Sequence, residues 1–231
     1  MQQRTYGQYC ATARTLDLVG ERWTLLLVRE LLTGPKRYGD LQRSLRGMGT
    51  GLLAARLKHL EREGLAHKVT LPAPARTPAY ALTEAGEELG PAVLALARWG
   101  TKWAMGSRRE DETFHPGWAV LAMEAFFVPQ EAADLCAVYE FRVGDEVFHL
   151  RVENGTIDAQ HGPAQHPDAV IDTGEEMFAQ LAEGRERLAD AIGDGRATAS
   201  GDAEALRRLA TLFCLPVPVD RSASPRPSEN C

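Results

Sequence analysis

The sequence predicts an α+β protein in two domains: a small helical domain closed by a β-hairpin, followed by a mixed sheet-plus-helices domain. Three observations predict it. Apolar residues recur at helical spacing through the first 65 positions, switch briefly to extended segments, and return to helical spacing up to residue 105. Beyond residue 118 the pattern alternates in short runs divided by turn residues. Between them, residues 106–117 are polar, charged and aperiodic, as a linker is. The two parts also differ in charge. Residues 1–105 hold 15 Lys and Arg against 9 Asp and Glu, whereas residues 106–231 hold 11 against 23. A basic part joined to an acidic part suits a polyanion partner at one end and different work at the other.

At 231 residues the chain is long enough to bury two cores. No apolar run approaches the roughly 18 residues of a membrane span. The polar start lacks the apolar stretch of a secretory leader, so a cytoplasmic protein is expected. The cysteines Cys10, Cys136, Cys214 and Cys231 lie far apart in no metal-binding spacing, and reduced thiols are expected.

The first domain reads as follows. Thr12 to Val19 forms a short helix with Leu16 and Val19 inward, interrupted at Gly20. Trp23 to Leu32 forms the next, with Trp23, Leu26, Leu27 and Leu31 near helical spacing, and Gly34-Pro35 ends it. Arg37 to Leu45 is a third helix, with Tyr38, Leu41 and Leu45 on one face. Gly47, Gly49 and Gly51 make a flexible connection to Leu52–Glu63, whose Leu53, Leu57 and Leu60 recur at core spacing. Ala66–Leu71 and Tyr80–Leu82 are strands joined by a proline-stiffened loop, residues 72–78. Thr83 then caps a long helix with an acidic first turn and an apolar stripe of Leu89, Val93, Leu96, Trp99 and Trp103, kinked at Pro91.

In the second domain, Trp118–Phe127 is an apolar helix. Strands follow at Leu135–Val143, Glu146–Val152, Thr156–Gln160 and Ala169–Asp172, with turns at Gly144-Asp145 and Asn154-Gly155. Thr173 and Glu176 form a capping box for a helix near Met177–Leu181. A helix at Glu186–Ile192, a strand at Arg196–Ala199 and a helix at Ala203–Leu212, capped by Asp202, complete the domain at about residue 215. Residues 216–231, rich in Pro and Ser, are expected to form a disordered tail.

In the first domain the last three helices before the hairpin, the hairpin itself and the closing helix, with a helix-turn-helix before the hairpin, follow the order of a winged helix. In such a domain the helix before the hairpin turns one face to the core and the other to the DNA major groove. On that outer face stand Thr50, Gly51, Ala54, Ala55, Lys58 and His59. The small residues at its start let backbone approach the groove floor, and Arg56 and Lys58 suit phosphates. Arg37, Lys68 and Arg76 supply further basic contacts. Arg76 sits on a proline-held loop fit to probe a minor groove or phosphates.

Four stretches are similar to one family: CATARTLDLVGERWTLLLVREL from Cys10, GPKRYGDL from Gly34, LAARLKHLE from Leu53 with Gly64-Leu65, and YALTEAG from Tyr80. They resemble the HxlR-type winged helix-turn-helix regulators over residues 10–103. The resemblance implies a bacterial homodimer on a pseudo-palindromic operator, with Leu52–Glu63 as recognition helix and residues 66–82 as wing. It also implies a dimer built with Leu16, Trp23 and the stripe Leu89, Val93, Leu96, Trp99 and Trp103. Two recognition helices must then lie about 34–36 Å apart. One departure is that Gly49-Thr50-Gly51 stands where the family often has a basic start to the recognition helix. Cys10 matches a cysteine that senses oxidants or electrophiles in some members, with Arg14 and the following helix as sources of positive charge; a buried structural thiol is the alternative.

Residues 115–215 resemble the sterol-carrier-protein-2-like fold. The resemblance is carried by the strands of 135–160, the segment ADAIGDGRATASGD from Ala189, and the closing helix. It implies an apolar tunnel for a lipid-like effector. Trp118, Met123, Phe126, Phe127, Met177 and Phe178 either line that tunnel or fill an ordinary core, and pure dimerisation is a further role open to the domain. No metal is expected: His149, His161, His166, Asp168 and Asp172 fit no compact site. No cofactor is implied. The lack of a phosphate loop, nucleophile elbow or triad speaks against an enzyme, and Ser200-Gly201-Asp202 reads as a cap. The expected function is a DNA-binding transcription regulator, a repressor. The competing reading is an apolar-ligand carrier whose first domain contacts proteins.

Overall fold

A computed structural model describes residues 5–73, 76–105, 109, 112, 115–182 and 185–214. The chain divides into two compact units, Met1–Val93 and Leu94–Cys231. Most of the expected linker, residues 106–117, and the whole of the expected tail, residues 216–231, lie outside the described residues.

The first unit forms around one leucine-rich core. Helix α1 (Ala11–Val19) buries Ala13 and Val19. Leu16, which the spacing placed inward, is instead exposed, because nothing in this unit covers that part of the helix. Helix α2 (Thr24–Leu32) buries Leu27, Val28 and Leu31 and leaves Leu26 exposed. Trp23 precedes this helix rather than opening it. It takes a left-handed backbone, φ 78°, and its ring lies over Gly47. Helices α3 (Tyr38–Ser44) and α4 (Thr50–Arg62) follow, and Leu41, Leu45, Met48, Leu53, Leu57 and Leu60 meet in the core. Strands β1 (Ala66–Thr70) and β2 (Pro78–Leu82) pair antiparallel, with Ala66 opposite Leu82 and Thr70 opposite Pro78. Lys36 exchanges two backbone hydrogen bonds with Tyr80, which ties the hairpin to the segment before α3.

The long helix expected after Thr83 is two helices. Thr83 caps the short α5 (Glu84–Glu87), its hydroxyl accepting from the Gly86 N–H at 3.2 Å. The chain then turns at Glu88 and Leu89 and restarts as α6 (Gly90–Trp103). Pro91 falls in the first turn of α6, where its missing N–H breaks no hydrogen bond, so it starts a helix instead of kinking one. Gly86 is obligatory: a Cβ there would stand 2.1 Å from the Leu65 carbonyl oxygen.

The second unit is a five-stranded sheet in the order β5-β4-β3-β6-β7. Its strands are β3 (Cys136–Val143), β4 (Glu146–Glu153), β5 (Thr156–His161), β6 (Ala169–Thr173) and β7 (Ala197–Gly201). Only β3 and β6 run parallel; every other pairing is antiparallel. Gly144-Asp145 joins β3 to β4. Asn154 and Gly155, both at positive φ, make the tight turn from β4 to β5. Period-two alternation turns Tyr139, Phe141, Val143, Phe148, Leu150 and Val152 to one face. There they pack against Ala119, Val120, Phe178, Leu209 and Leu212. These last come from α7 (Ala119–Phe126), α8 (Glu175–Ala182), α10 (Ala203–Leu209) and the turn after it. Helix α9 (Leu188–Gly193) leads into β7.

The expected capping box is absent. Thr173 stays in β6, and its buried hydroxyl donates to the Arg196 carbonyl at 3.3 Å. Gly174 takes the position before α8, its carbonyl accepting from the Phe178 N–H. Asp202 does cap α10, accepting from the Ala205 N–H at 2.8 Å. That helix ends at Leu209, a turn short of the expected Leu212. Among the described residues no helix is long and apolar enough to cross a membrane.

Candidate nucleic-acid interface

Helices α3 and α4 are joined by five residues and locked by side chains. Leu45 and Met48 bury the connection, and the Tyr38 hydroxyl donates to the Thr50 carbonyl at 2.7 Å. Because Leu53, Leu57 and Leu60 are fixed inward, the side of α4 carrying Gly51, Ala55, Lys58 and Arg62 faces solvent, with Thr50 and Ala54 exposed on its flank. The first turn of α4 is exposed throughout apart from Leu53. The hairpin β1–β2 projects beside it, with His67, Lys68 and Arg76 exposed. Arg76 has φ 37°, and Pro74 and Ala75 at the tip lie outside the described residues.

The basic side chains divide into engaged and free. Arg56, expected on phosphate, donates to Glu21 at 2.9 Å and is mostly covered; this ion pair spans 35 positions of sequence. His59, expected at the groove, is tucked inward, with Nε2 2.7 Å from the Leu18 carbonyl oxygen and Nδ1 contacted by Arg62. Arg62 also pairs with Glu63 at 2.8 Å. Both Arg56 and His59 lie on the flank of α4 turned towards the end of α1. Lys68 is loosely held, its ammonium 3.8 Å from Glu61 and over the Tyr80 ring at 5.7 Å. Among the described residues the side chains of Arg37, Arg46, Lys58 and Arg76 form no ion pair. Sequence reasoning did not single out Arg46 or Leu52. Arg46 sits in the connection between α3 and α4, where a basic residue beside two helix ends is itself a signal. Leu52 is a large apolar residue off the Leu53–Leu57–Leu60 stripe, and it is 38% exposed.

The residues expected to build a dimer do not form one surface class. Trp23, Leu89 and Val93 pack against the core of the first unit. Leu16 is exposed, and on α6 Leu96, Trp99 and Trp103 are exposed, Trp99 at 59%. Cys10 is exposed at the start of α1; its carbonyl accepts from the Arg14 N–H at 3.0 Å, but its thiol makes no capping hydrogen bond. The backbone N–H groups of Ala13 and Thr12, foremost that of Ala13, nevertheless hold its thiol below the ordinary range by favouring the thiolate.

In the second unit a cavity of about 350 Å³ opens between helices and sheet, walled by Ala119, Met123, Phe126, Ile171, Phe178 and Phe213 among others. Among the described residues only Glu186 and Arg187 bring charge to its wall. Glu186 is held by Arg196 at 2.8 Å, which lowers its pKa together with the Arg187 N–H. Three aromatic or sulfur residues expected in the wall lie elsewhere. Trp118 precedes α7 on a 3-10 turn and packs edge-on against His115. Phe127 follows the end of α7 and lies against Phe213, and the Met177 sulfur faces Arg196.

Comparison with known proteins places both regions. The HxlR-like helix-turn-helix family matches residues 18–108, and the SCP-2 sterol transfer family matches residues 127–214. An uncharacterized HTH-type transcriptional regulator of Mycobacterium tuberculosis is 41% identical over 93 residues, covering 40% of this chain and 58% of that protein. The chain thus spans somewhat over half the length of that relative. The uncharacterized HTH-type transcriptional regulator YvaP of Bacillus subtilis is 31% identical over 90 residues, 39% of this chain and 83% of that protein. The reduced form of the transcriptional regulator YodB from B. subtilis aligns with 29% identity, a TM-score of 0.36, and coverage of 40% of this chain and 92% of that one. The chain belongs to the HxlR-like helix-turn-helix family and carries a sterol-carrier-protein-2-like region after its winged helix.

Proposed function

We propose that the chain is a cytoplasmic transcription regulator, a repressor, that binds duplex DNA as a homodimer through α4 and the β1–β2 wing. One observation carries the DNA reading. The solvent face of α4 is held outward by the Leu53–Leu57–Leu60 stripe, and unpaired basic side chains surround it. Lys58 on the helix, Arg37 and Arg46 near its start, and Arg76 on the wing are free to neutralise phosphates without first breaking an ion pair. Thr50, Gly51, Ala54 and Ala55 then meet the groove. Arg56 and His59 act as struts that fix α4 on the domain.

Residues 1–105 form the DNA-binding part in this reading, and the exposed apolar side chains of α6 supply the dimer contact. Residues 118–215 form an effector part whose cavity takes an apolar small molecule. A ligand that favours one dimer geometry changes DNA affinity by its differential binding energy. Cys10 is a second input, an electrophile-sensitive thiol.

Titration of the full chain against duplexes from its own promoter region, over a range of salt, tests the reading. The expected result is specific binding whose affinity falls steeply with salt. Affinity no stronger than weak background, with no salt dependence, overturns it and favours an apolar-ligand carrier.

A further inference from the structure

The site assigned above has an unusual division of labour. A recognition helix commonly reads bases with long polar side chains that form two hydrogen bonds to one base. Here the long polar side chains of α4 are spent elsewhere: Arg56 on Glu21, His59 on the Leu18 carbonyl, and Arg62 on Glu63 and His59. Lys58 is the remaining free cation of the helix among the described residues, and it lies two turns from the N-terminal end. What the first two turns present is uncharged: the Thr50 methyl, Leu52, Ala54 and Ala55. Leu52 is notable because it stands off the Leu53–Leu57–Leu60 stripe and leaves 38% of its surface exposed.

Gly51 points the same way. It is the second residue of α4, with an ordinary helical backbone, and a Cβ on it would meet nothing within 4 Å among the described residues. Glycine is less favourable than alanine in a helix, by about fivefold in equilibrium terms at an interior position and by less in the first turn. No turn, close contact or positive φ among the described residues accounts for it. A glycine whose side-chain space is empty in the free protein suits close approach of an external surface.

We propose that α4 reads its operator through thymine 5-methyl groups, which seat against Leu52, Ala54, Ala55 and the Thr50 methyl while Gly51 lets the helix backbone sink to the groove floor. Apolar contact is the one major-groove signal that distinguishes thymine without a hydrogen bond. Arg37, Arg46, Lys58 and Arg76 hold the frame through phosphates and carry no sequence information directly. The inference rests on the DNA-binding reading and adds the chemistry of base selection to it.

Selection of the full-length protein against a randomised 24-base-pair duplex library supplies the probe, and the selected duplex is then remade with deoxyuridine for thymine in its half-sites. The exchange removes only the methyl groups. Each buried methyl is worth about fourfold in affinity, so two contacted thymines per half-site should cost more than tenfold. Affinity for a scrambled duplex should not change. In parallel, Gly51→Ala should fold at least as stably as the parent, lose about tenfold for the selected duplex, and keep its affinity for the scrambled one. Equal affinity for the thymine and uracil duplexes, within twofold, overturns the proposal even where salt-dependent specific binding persists. Failure of the library to yield any sequence above background, with no salt dependence, overturns the DNA-binding reading together with it.

Discussion

Arg56 and Lys58 are two residues apart on α4, yet of the two only Arg56 is held in an ion pair among the described residues, and substituting each alone tests the separate roles proposed for them. Arg56→Met removes an ion pair of 2.9 Å to Glu21 while keeping most of the apolar stem. Arg56 is 21% exposed and Glu21 52%, so the pair is partly solvated and worth at most about 1 kcal/mol. In a domain of this size about 1 kcal/mol moves the melting temperature by roughly 4–8 °C. Lys58→Ala removes no described ion pair and should leave that temperature unchanged. Its effect belongs to DNA. Each phosphate neutralised contributes about 0.9 to the slope of log affinity against log salt, so losing Lys58 from both subunits should flatten the slope by about 1.8. Between 50 and 200 mM salt the parent then loses about tenfold more affinity than Lys58→Ala does. Differential scanning fluorimetry reads the first effect, and fluorescence anisotropy of a labelled duplex at four or five salt concentrations reads the second. Arg56→Met should melt earlier with its slope intact. If it melts normally and flattens the slope as much as Lys58→Ala, Arg56 leaves Glu21 for a phosphate and its assignment as a strut is wrong.

Three further outcomes are expected. Burial first, and the nearby Asp158 second, raise the Glu124 carboxyl above its ordinary pKa. The folded state therefore holds that proton longer than the unfolded chain, and stability falls as pH rises through and above the usual carboxylate range. Glu124→Gln should raise the melting temperature at pH 7, and the gain should vanish below about pH 4; an equal gain at both values refutes this. Trp99→Arg should convert a dimer to a monomer in sedimentation velocity without lowering the melting temperature, since Trp99 is mostly exposed on α6; a persistent dimer moves the interface elsewhere. Ala122→Trp should fill much of the 350 Å³ cavity and abolish the fluorescence gain of N-phenyl-1-naphthylamine while leaving ligand-free DNA affinity intact. Undiminished probe fluorescence would show that the dye binds elsewhere.

Local periodicity makes most of the fold legible in the sequence. Leu53, Leu57 and Leu60 repeat at the interval of one helix face, and all three are buried. The turns Gly144-Asp145 and Asn154-Gly155 were readable because positive φ restricts residue choice. Errors came where two local signals competed. Thr173 and Glu176 match a capping box in spacing, but Thr173 is also the fifth residue of a buried strand, and the ladder with β7 holds it. Leu89 to Trp103 repeats as one stripe, but a stripe records periodicity and not whether the chain restarts at Gly90 beside Pro91.

The site was harder to read than the fold because what matters there is which charges are already spent. Arg56 and Lys58 look alike in sequence. Glu21 and Leu18, the partners that engage Arg56 and His59, lie 35 and 41 residues away, and no period links them to α4. Ion pairing between distant segments is set by how α1 and α2 pack, which depends on the whole core. The opposite holds for the small residues of α4. Thr50, Gly51, Ala54 and Ala55 are all exposed, and at Gly51, where a Cβ would meet nothing among the described residues, the sequence alone shows a choice that the fold does not force. In the proposed reading the free charges mark where a polyanion docks, and the uncharged turn between them is where its sequence is felt.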